Sequence, residues 1–450
     1  MKKWWIIVIV VVVVVAVALI LYFTLRTNVV TPTKVEEGAT PAARVSKEEV
    51  DAGALSGKIV TVFGAFVDQE EVRFNEAMKP FEARTGIDVQ YEASKEFETL
   101  IFVRVEGGNP PDVAALPQPG LMNKLADRGA LKPLWPGIKD IISKNYAPVW
   151  LELGSYKGTA YGVFHRVNMK SLVWYPKKAW ENAGLATPTN WSELEALENK
   201  LIGQGHVPWT VGFESGGATG WVGTDWVEDI MLRTAGPQVY DQWVKHEIPF
   251  NDPRVKKAVE IMGKRLRDPK YVYGGPQYVL TTNFGDAPNI MFDNPPKAWM
   301  HKQGNFITGF FPENIQANLD AEVGLFGFPQ IDSQWGTPAL GGGDQFTMFN
   351  DRPEVRAFLE YLATWESGKI WASAGGALFP YKNQDLNAYP TELERKQAEL
   401  LLNAKVFRFD ASDLMPAEVG AGTFWTGMVD YVSGVSVDKV LDDIEASWPK

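Results

Sequence analysis

Between Trp209 and Trp226 the chain reads WTVGFESGGATGWVGTDW, which sets three indoles among five glycines, with the carboxylates of Glu214 and Asp225 interleaved. Indole faces beside short polar groups suit a ligand that has apolar C–H faces and many hydroxyls, as sugars do. The competing reading is a loop whose tryptophans fill gaps between helices, and on this stretch alone the two stand level. Two further aromatic groups have the same character. NPPKAWMH (294–301) joins turn prolines to Trp299 and His301, and Thr423-Phe424-Trp425 opens a helix directly after the glycines of VGAG. GGGD (341–344) adds a turn where backbone N–H groups can face a ligand beside the Asp344 carboxylate. For His301 the plainer reading is a satisfied structural imidazole, and for Trp425 it is core packing.

Other reactive sets are missing from the sequence. There is no cysteine, which removes disulfides, thiolate metal sites and catalytic thiols together. GxSxG, Walker and GxGxxG patterns are absent, and His246-Glu247 lacks the second histidine of HExxH. Asp225, Glu228 and Asp229 could pair an acid with a base for glycoside hydrolysis. Acids are also common at solvated helix starts, where the dipole favours them. The expectation is therefore a binding protein rather than an enzyme, with no metal and no cofactor. A formal charge of −11 over 450 residues leaves no basic stripe for nucleic acid. Tryptophan (17) outnumbers tyrosine (14), an excess that a binding surface would explain.

The elements that must carry these groups read as follows. Trp4 to Phe23 is an uncharged apolar run of about 30 Å when helical, enough to cross a bilayer once. Lys2 and Lys3 before it place the N-terminus in the cytoplasm and everything after it outside. It reads as an uncleaved signal-anchor, with a cleaved signal peptide as the alternative. Residues 27–56 have no hydrophobic periodicity and read as a flexible stalk. From Gly57 onward strands at 58–64, 88–91 and 112–116 alternate with helices at 68–85 and 95–106, the first capped by Asp68 with Glu71. That alternation describes an open parallel sheet with right-handed crossovers, whose ligands gather beyond the strand ends at 65–67 and 117–119, including Phe66 and Gln118. Residues 156–175 are too polar at Phe164 to Asn168 for a fully buried strand and read as a crossing between lobes. Further strands are expected at 209–213, 290–292, 323–328 and 346–349. Helices are expected at 190–201, 225–235, 253–267, 353–367, 392–404, 423–433 and 437–448.

With these segments in hand, the chain resembles the carbohydrate-binding members of the extracellular solute-binding proteins that serve ABC transporters, in particular the alpha-glucoside type. RVNMKSLVWY (166–175), GWVGTDWVEDIMLRTAGPQVYDQWVKHEIPF (220–250), NPPKAWMHKQGNFI (294–307), GGGDQFTMFNDRPEVRAFLEYLAT (341–364) and FWTGMVDYVSG (424–434) carry the likeness, which covers roughly 57–450. It implies an α/β, two-lobed periplasmic-binding-protein clamp, each lobe a mostly parallel sheet flanked by helices, with the ligand cleft between the lobes. The parts would be an anchor at 1–26, a stalk at 27–56, lobe I at 57–165, lobe II at 166–335, a return to lobe I at 336–378, and lobe II with cleft-edge helices at 379–450. Trp425, Trp299 and Asn168 would face ligand, Asn168 standing where relatives place an acid. In that picture indoles, Trp221 and Trp226 included, stack on pyranose faces while Asp225, Asp344, Arg166, Asn168 and Gln118 take hydroxyls. The implied protein is a monomer tethered to the membrane, with its binding domain outside the cell membrane. It captures a small oligosaccharide and passes it to ABC transporter membrane subunits. The alternatives are a secreted glycoside hydrolase and a binding protein for a non-sugar solute.

Overall fold

Val60, Val62 and Phe63 in the run IVTVFG are sealed from water, so β1 (Ile59–Gly64) needs apolar layers on both faces. In the computed structural model, which describes residues 45–404 and 406–449, it has them. β1 pairs in parallel with β2 (Asp88–Ala93) and β3 (Val113–Leu116); helices α1 (Gln69–Thr85) and α2 (Phe97–Glu106) supply the crossovers, and α3 (Pro119–Asp127) follows β3. β4 (Gly162–Met169) belongs to the same sheet. After it the chain leaves for a second sheet of β5 (Leu172–Pro176), β6 (His301–Lys302) and β7 (Val323–Gly327), all paired antiparallel. It returns as the ten-residue β8 (Ala339–Met348), antiparallel to both β3 and β4, and β9 (Phe407–Phe409) completes the first sheet. The first sheet is thus mixed, in the order β9-β8-β3-β1-β2 with β4 also on β8, and the second is antiparallel rather than mostly parallel.

Several local expectations change. The stalk ends earlier than Ser56: Ser46 caps a short helix Lys47–Asp51 through a capping box, and Val50 and Leu55 are buried in the first core. Asp68 does not cap α1. Its φ of 54° turns the carboxylate away toward Lys95 at 3.7 Å, and no side-chain cap bond forms. Trp209–Phe213 is held by single bridges of Trp209 to Val272 and Met300, not by a ladder, and Ala287–Phe292 is a 3-10 helix. The expected helix at 353–367 is two, Pro353–Leu362 and Trp365–Ala374, because Thr364 is extended and bonds back to the Tyr361 carbonyl. The apolar run Trp4–Phe23 lies outside the described residues, and among the described ones no helix is long and apolar enough to cross a membrane.

Two main hydrophobic cores result. One gathers Phe66, Phe74, Phe346, Phe358 and Trp371 around the mixed sheet; the other gathers Trp209, Trp226, Trp243, Phe328 and Phe424. The chain passes between their sheets at Lys170-Ser171 and along 328–338, and from β9 into the second core at Asp410. The last passage falls later than the 378/379 boundary expected above, since Phe379, Tyr381, Tyr389 and Phe409 pack in the first core. Ile307, Phe311, Ile315 and Leu319, inside the span expected for lobe II, do likewise.

Candidate functional site

A cleft enclosing about 1100 Å³ of empty space, part of it open to solvent, lies where the passages between the cores converge. The strand ends of the first sheet form one wall. Ala65 and Val67 after β1 face it, while Phe66 between them points into the core, as a period of two requires. Pro117 and Gln118 after β3 join them. The register of β4 against β8 shifts beside Asp344, because His165 has no partner residue on β8. Such a bulge re-aims neighbouring side chains. Arg166 and Asn168 reach the cleft beside Asp344, and His165 turns into a box of Phe74, Phe346, Trp371 and Phe379. Burial there lowers the His165 pKa to about 3, so it stays neutral. All eight residues of β4 are buried, against the expectation drawn from its polarity.

The second wall is aromatic. Trp221 opens α4 (Trp221–Thr234) and stands edge-on to Phe284 at 5.2 Å and tilted to Phe306 at 5.9 Å. Trp425 opens α6 (Trp425–Ser433) beside it, its Nε1 3.4 Å from the Ser412 hydroxyl. Phe310 completes the wall.

Six of the sequence candidates therefore line one cleft: Gln118, Arg166, Asn168, Trp221, Asp344 and Trp425. Five do not. Phe66 lies beneath the Arg166 guanidinium at 4.5 Å and supports it from the core. Trp226 is fully buried, edge-on to Trp209 at 5.0 Å, and Trp209 itself donates to Glu198 at 2.8 Å. Trp299 packs in the second core against His206. His301 is fully buried, with Nδ1 2.8 Å from the Thr210 carbonyl, and burial lowers its pKa to about 4. Asp225 sits behind the wall, bonded to the Lys170 ammonium at 2.8 Å. Glu228 and Asp229 are equally withdrawn. Glu228 accepts from the Ala411 and Ser412 N–H groups at the start of α5 (Ala411–Leu414), and Asp229 from Ser171 and Arg233. None of these three acids can flank a glycosidic bond in the cleft.

Charge in the cleft is organised around two cations. Arg166 is bonded to Asp344 at 2.7 Å and to Glu70, and although burial opposes its charge, those acids hold its pKa above the ordinary value. Lys170 bridges Asp225, on α4, to Asp410, at the last passage between cores; burial again opposes the charge and the two acids again outweigh it. Asp225, Glu228 and Asp410 bring one oxygen each within 4.8 Å of the others, and the Lys170 ammonium is paired with Asp225 and Asp410. Burial pushes Asp225 and Glu228 well above the usual carboxylate range, Asp410 adding to it. Asp410, despite burial, is held below that range by Lys170. Glu70, Glu98, Lys170, Asp410, Asp413, Phe284 and Phe306 are cleft residues the sequence reading did not single out. Lys170 was within reach of it, two positions beyond Asn168; Asp410 and Asp413 carry only helix-capping chemistry.

A family model described as bacterial extracellular solute-binding protein matches residues 68–369. The osmoprotective compounds-binding protein GgtB of Synechocystis sp. is 47% identical over 394 residues, which cover 87% of this chain and 93% of that one. The alpha-glucosides-binding periplasmic protein AglE of Rhizobium meliloti is 41% identical over 413 residues, 90% of each chain. Among solved structures, the bacterial solute receptor AcbH superposes with a TM-score of 0.76 at 19% identity, over 87% of this chain and 98% of that one. Maltose-bound T. maritima MalE3 superposes with a TM-score of 0.68 at 16% identity, over 87% and 98%. At these identities the structures share the fold: an α/β, two-lobed periplasmic-binding-protein clamp.

Proposed function

The chain belongs to the bacterial extracellular solute-binding proteins, the sugar- and solute-binding components of ABC transporters, and from that premise we propose that it captures a small alpha-glucoside and delivers it to an importer. The observation that carries the proposal is the pairing, across one cleft, of the aromatic wall with buried acceptors that have no partner among the described residues: the Gln118 Oε1 and the Asn168 Oδ1. Indole and phenyl faces take the C–H side of a pyranose, and such acceptors take its hydroxyl protons. A disaccharide of about 23 heavy atoms at about 0.3 kcal/mol each gains about 7 kcal/mol, a Kd near 10 μM. That is sufficient for scavenging.

The names of GgtB and AglE favour this ligand class, the first through osmoprotective compounds and the second through alpha-glucosides. Trp4–Phe23 then holds the protein to the membrane with the cleft outside, and one chain supplies the whole cleft, so the working unit is a monomer. Calorimetry of the full chain in detergent against maltose, trehalose, sucrose, glucose and glucosylglycerol tests the binding, and silence across that panel overturns it. Turnover of a chromogenic glucoside would instead favour a hydrolase. N-terminal sequencing of the native protein tests the anchor, and a start well beyond Phe23 removes it.

A further inference from the structure

We infer that the cleft selects its ligand by charge, accepting neutral hydroxylated solutes and rejecting a glycoside of the same shape that carries a carboxylate or phosphate. This rests on the glycoside reading above and adds to it the charge class of the ligand. Among the described residues that line the cleft there are three cations, and each is already engaged. Arg166 faces Asp344 and Glu70, and Lys170 faces Asp225 and Asp410. Lys95 stands at the rim 3.7 Å from Asp68, with 60% of its side chain in water, where hydration and salt leave it little pull.

The remaining polar groups lean the other way. The Glu98 carboxyl accepts from Gln118 Nε2 at 3.1 Å. The Asp413 side chain, in a residue only 8% exposed, makes no hydrogen bond among the described residues. With the unpartnered Asn168 Oδ1 and Gln118 Oε1, these groups form a wall of acceptors. A hydroxyl can donate to such a wall. A carboxylate or phosphate oxygen cannot, and it would give up its water for further acids and lone pairs. Burial raises the carboxyls of Glu98 and of Asp413, the latter with Asp410 beside it, the direction expected of a wall that already disfavours negative charge.

The test uses the panel glucoside that binds most tightly, its uronate, in which the C6 CH2OH is a carboxylate, and the matched uronamide, all against the full chain at pH 7. The uronamide is expected within about tenfold of the parent and the uronate at least roughly 100-fold weaker, the scale on which unpaired buried groups discriminate. A uronate that binds as well as the uronamide overturns the inference. So does a uronamide as weak as the uronate, because the loss would then belong to the missing hydroxyl rather than to charge. If no panel sugar binds, the glycoside reading itself falls and this inference with it; a uronate that binds beside a binding parent leaves that reading intact.

Discussion

Trp221 and Trp226 are five positions apart on one helix, and a rotation of about 140° between them sends one indole to the cleft and the other to the core. Starting the helix at Asp225 in the sequence hid that divergence, because α4 begins at Trp221. The two residues should fail differently. Trp221→Ala removes a stacking face and is expected to weaken sugar binding about 10- to 100-fold, about 1.4–2.8 kcal/mol, with the fold intact. Trp226→Ala opens a cavity in the second core and is expected to cost about 3–5 kcal/mol of stability. Calorimetry and denaturant titration on both variants separate the effects; a Trp221→Ala protein that binds as tightly as its parent refutes the aromatic wall. His301 also belongs to the core, and its signature is pH dependence. Its pKa is lowered from 6.5 to about 4 in the folded protein, so as pH falls the unfolded chain takes up the proton first. Stability is therefore lost between pH 6.5 and about pH 4, at up to about 1.4 kcal/mol per pH unit from this one group. The buried acids whose pKa values are raised act in the opposite sense over that range, so the readout is the slope of the parent minus that of His301→Gln. Equal slopes would mean that His301 is not a buried neutral imidazole.

The cleft walls depend on where elements start and how closely they approach. Gly220, the residue before Trp221, has φ near +112°, and a Cβ on it would lie 2.2 Å from the Trp425 carbonyl oxygen. The start of α4 thus touches the start of α6, and this approach sets the two cleft indoles relative to each other. Gly220→Ala adds backbone strain and a backbone clash, an expected loss of about 2 kcal/mol or more, together with weaker sugar binding. Unchanged affinity in the folded variant would show that the contact does not place the indoles. Elements of this kind were only partly legible in the sequence. The parallel core β1-β2-β3 with its crossover helices follows from apolar runs punctuated by glycine, and those elements stand close to where they were expected. The mixed character of the first sheet was not readable, because β8 enters antiparallel to β3 from more than 200 positions away along the chain. The polar run Phe164–Asn168 misled for a related reason: a bulge at His165 lets Arg166 and Asn168 reach a cleft while their strand stays buried. Glycines 341–343 were read as a turn, yet they lie inside β8, where bare backbone lets β4, β9 and Lys170 come close.

At the level of the whole molecule, the cleft sits among the passages between the cores, and its charges bind two of those passages together. Lys170 lies in the first passage and Asp410 in the last, and Asp225 reaches the same ammonium from α4 in the second core. Residues 240 positions apart share this one ion cluster, which is why no local pattern announced it. Lys170→Met would leave buried carboxyls without their cation, an expected loss of about 3–5 kcal/mol, visible as a lower denaturant midpoint. Arg166→Met, which takes the paired guanidinium from Glu70 and Asp344, should behave alike. The larger consequence concerns motion. Two cores whose sheets are joined by three passages, with aromatic faces on one wall and hydroxyl acceptors on the other, satisfy both sets of groups best when a ligand lies between them and water is excluded. A ligand that touches both walls favours the closed arrangement by its differential contacts, whereas one that touches a single wall does not. Small-angle scattering of the full chain in detergent should therefore show a smaller radius of gyration at saturating disaccharide than without it. Glucose, which spans less of the cleft, should give a smaller change. Tight disaccharide binding with an unaltered scattering profile would refute the closing clamp and leave a rigid cleft that recognises its ligand without moving.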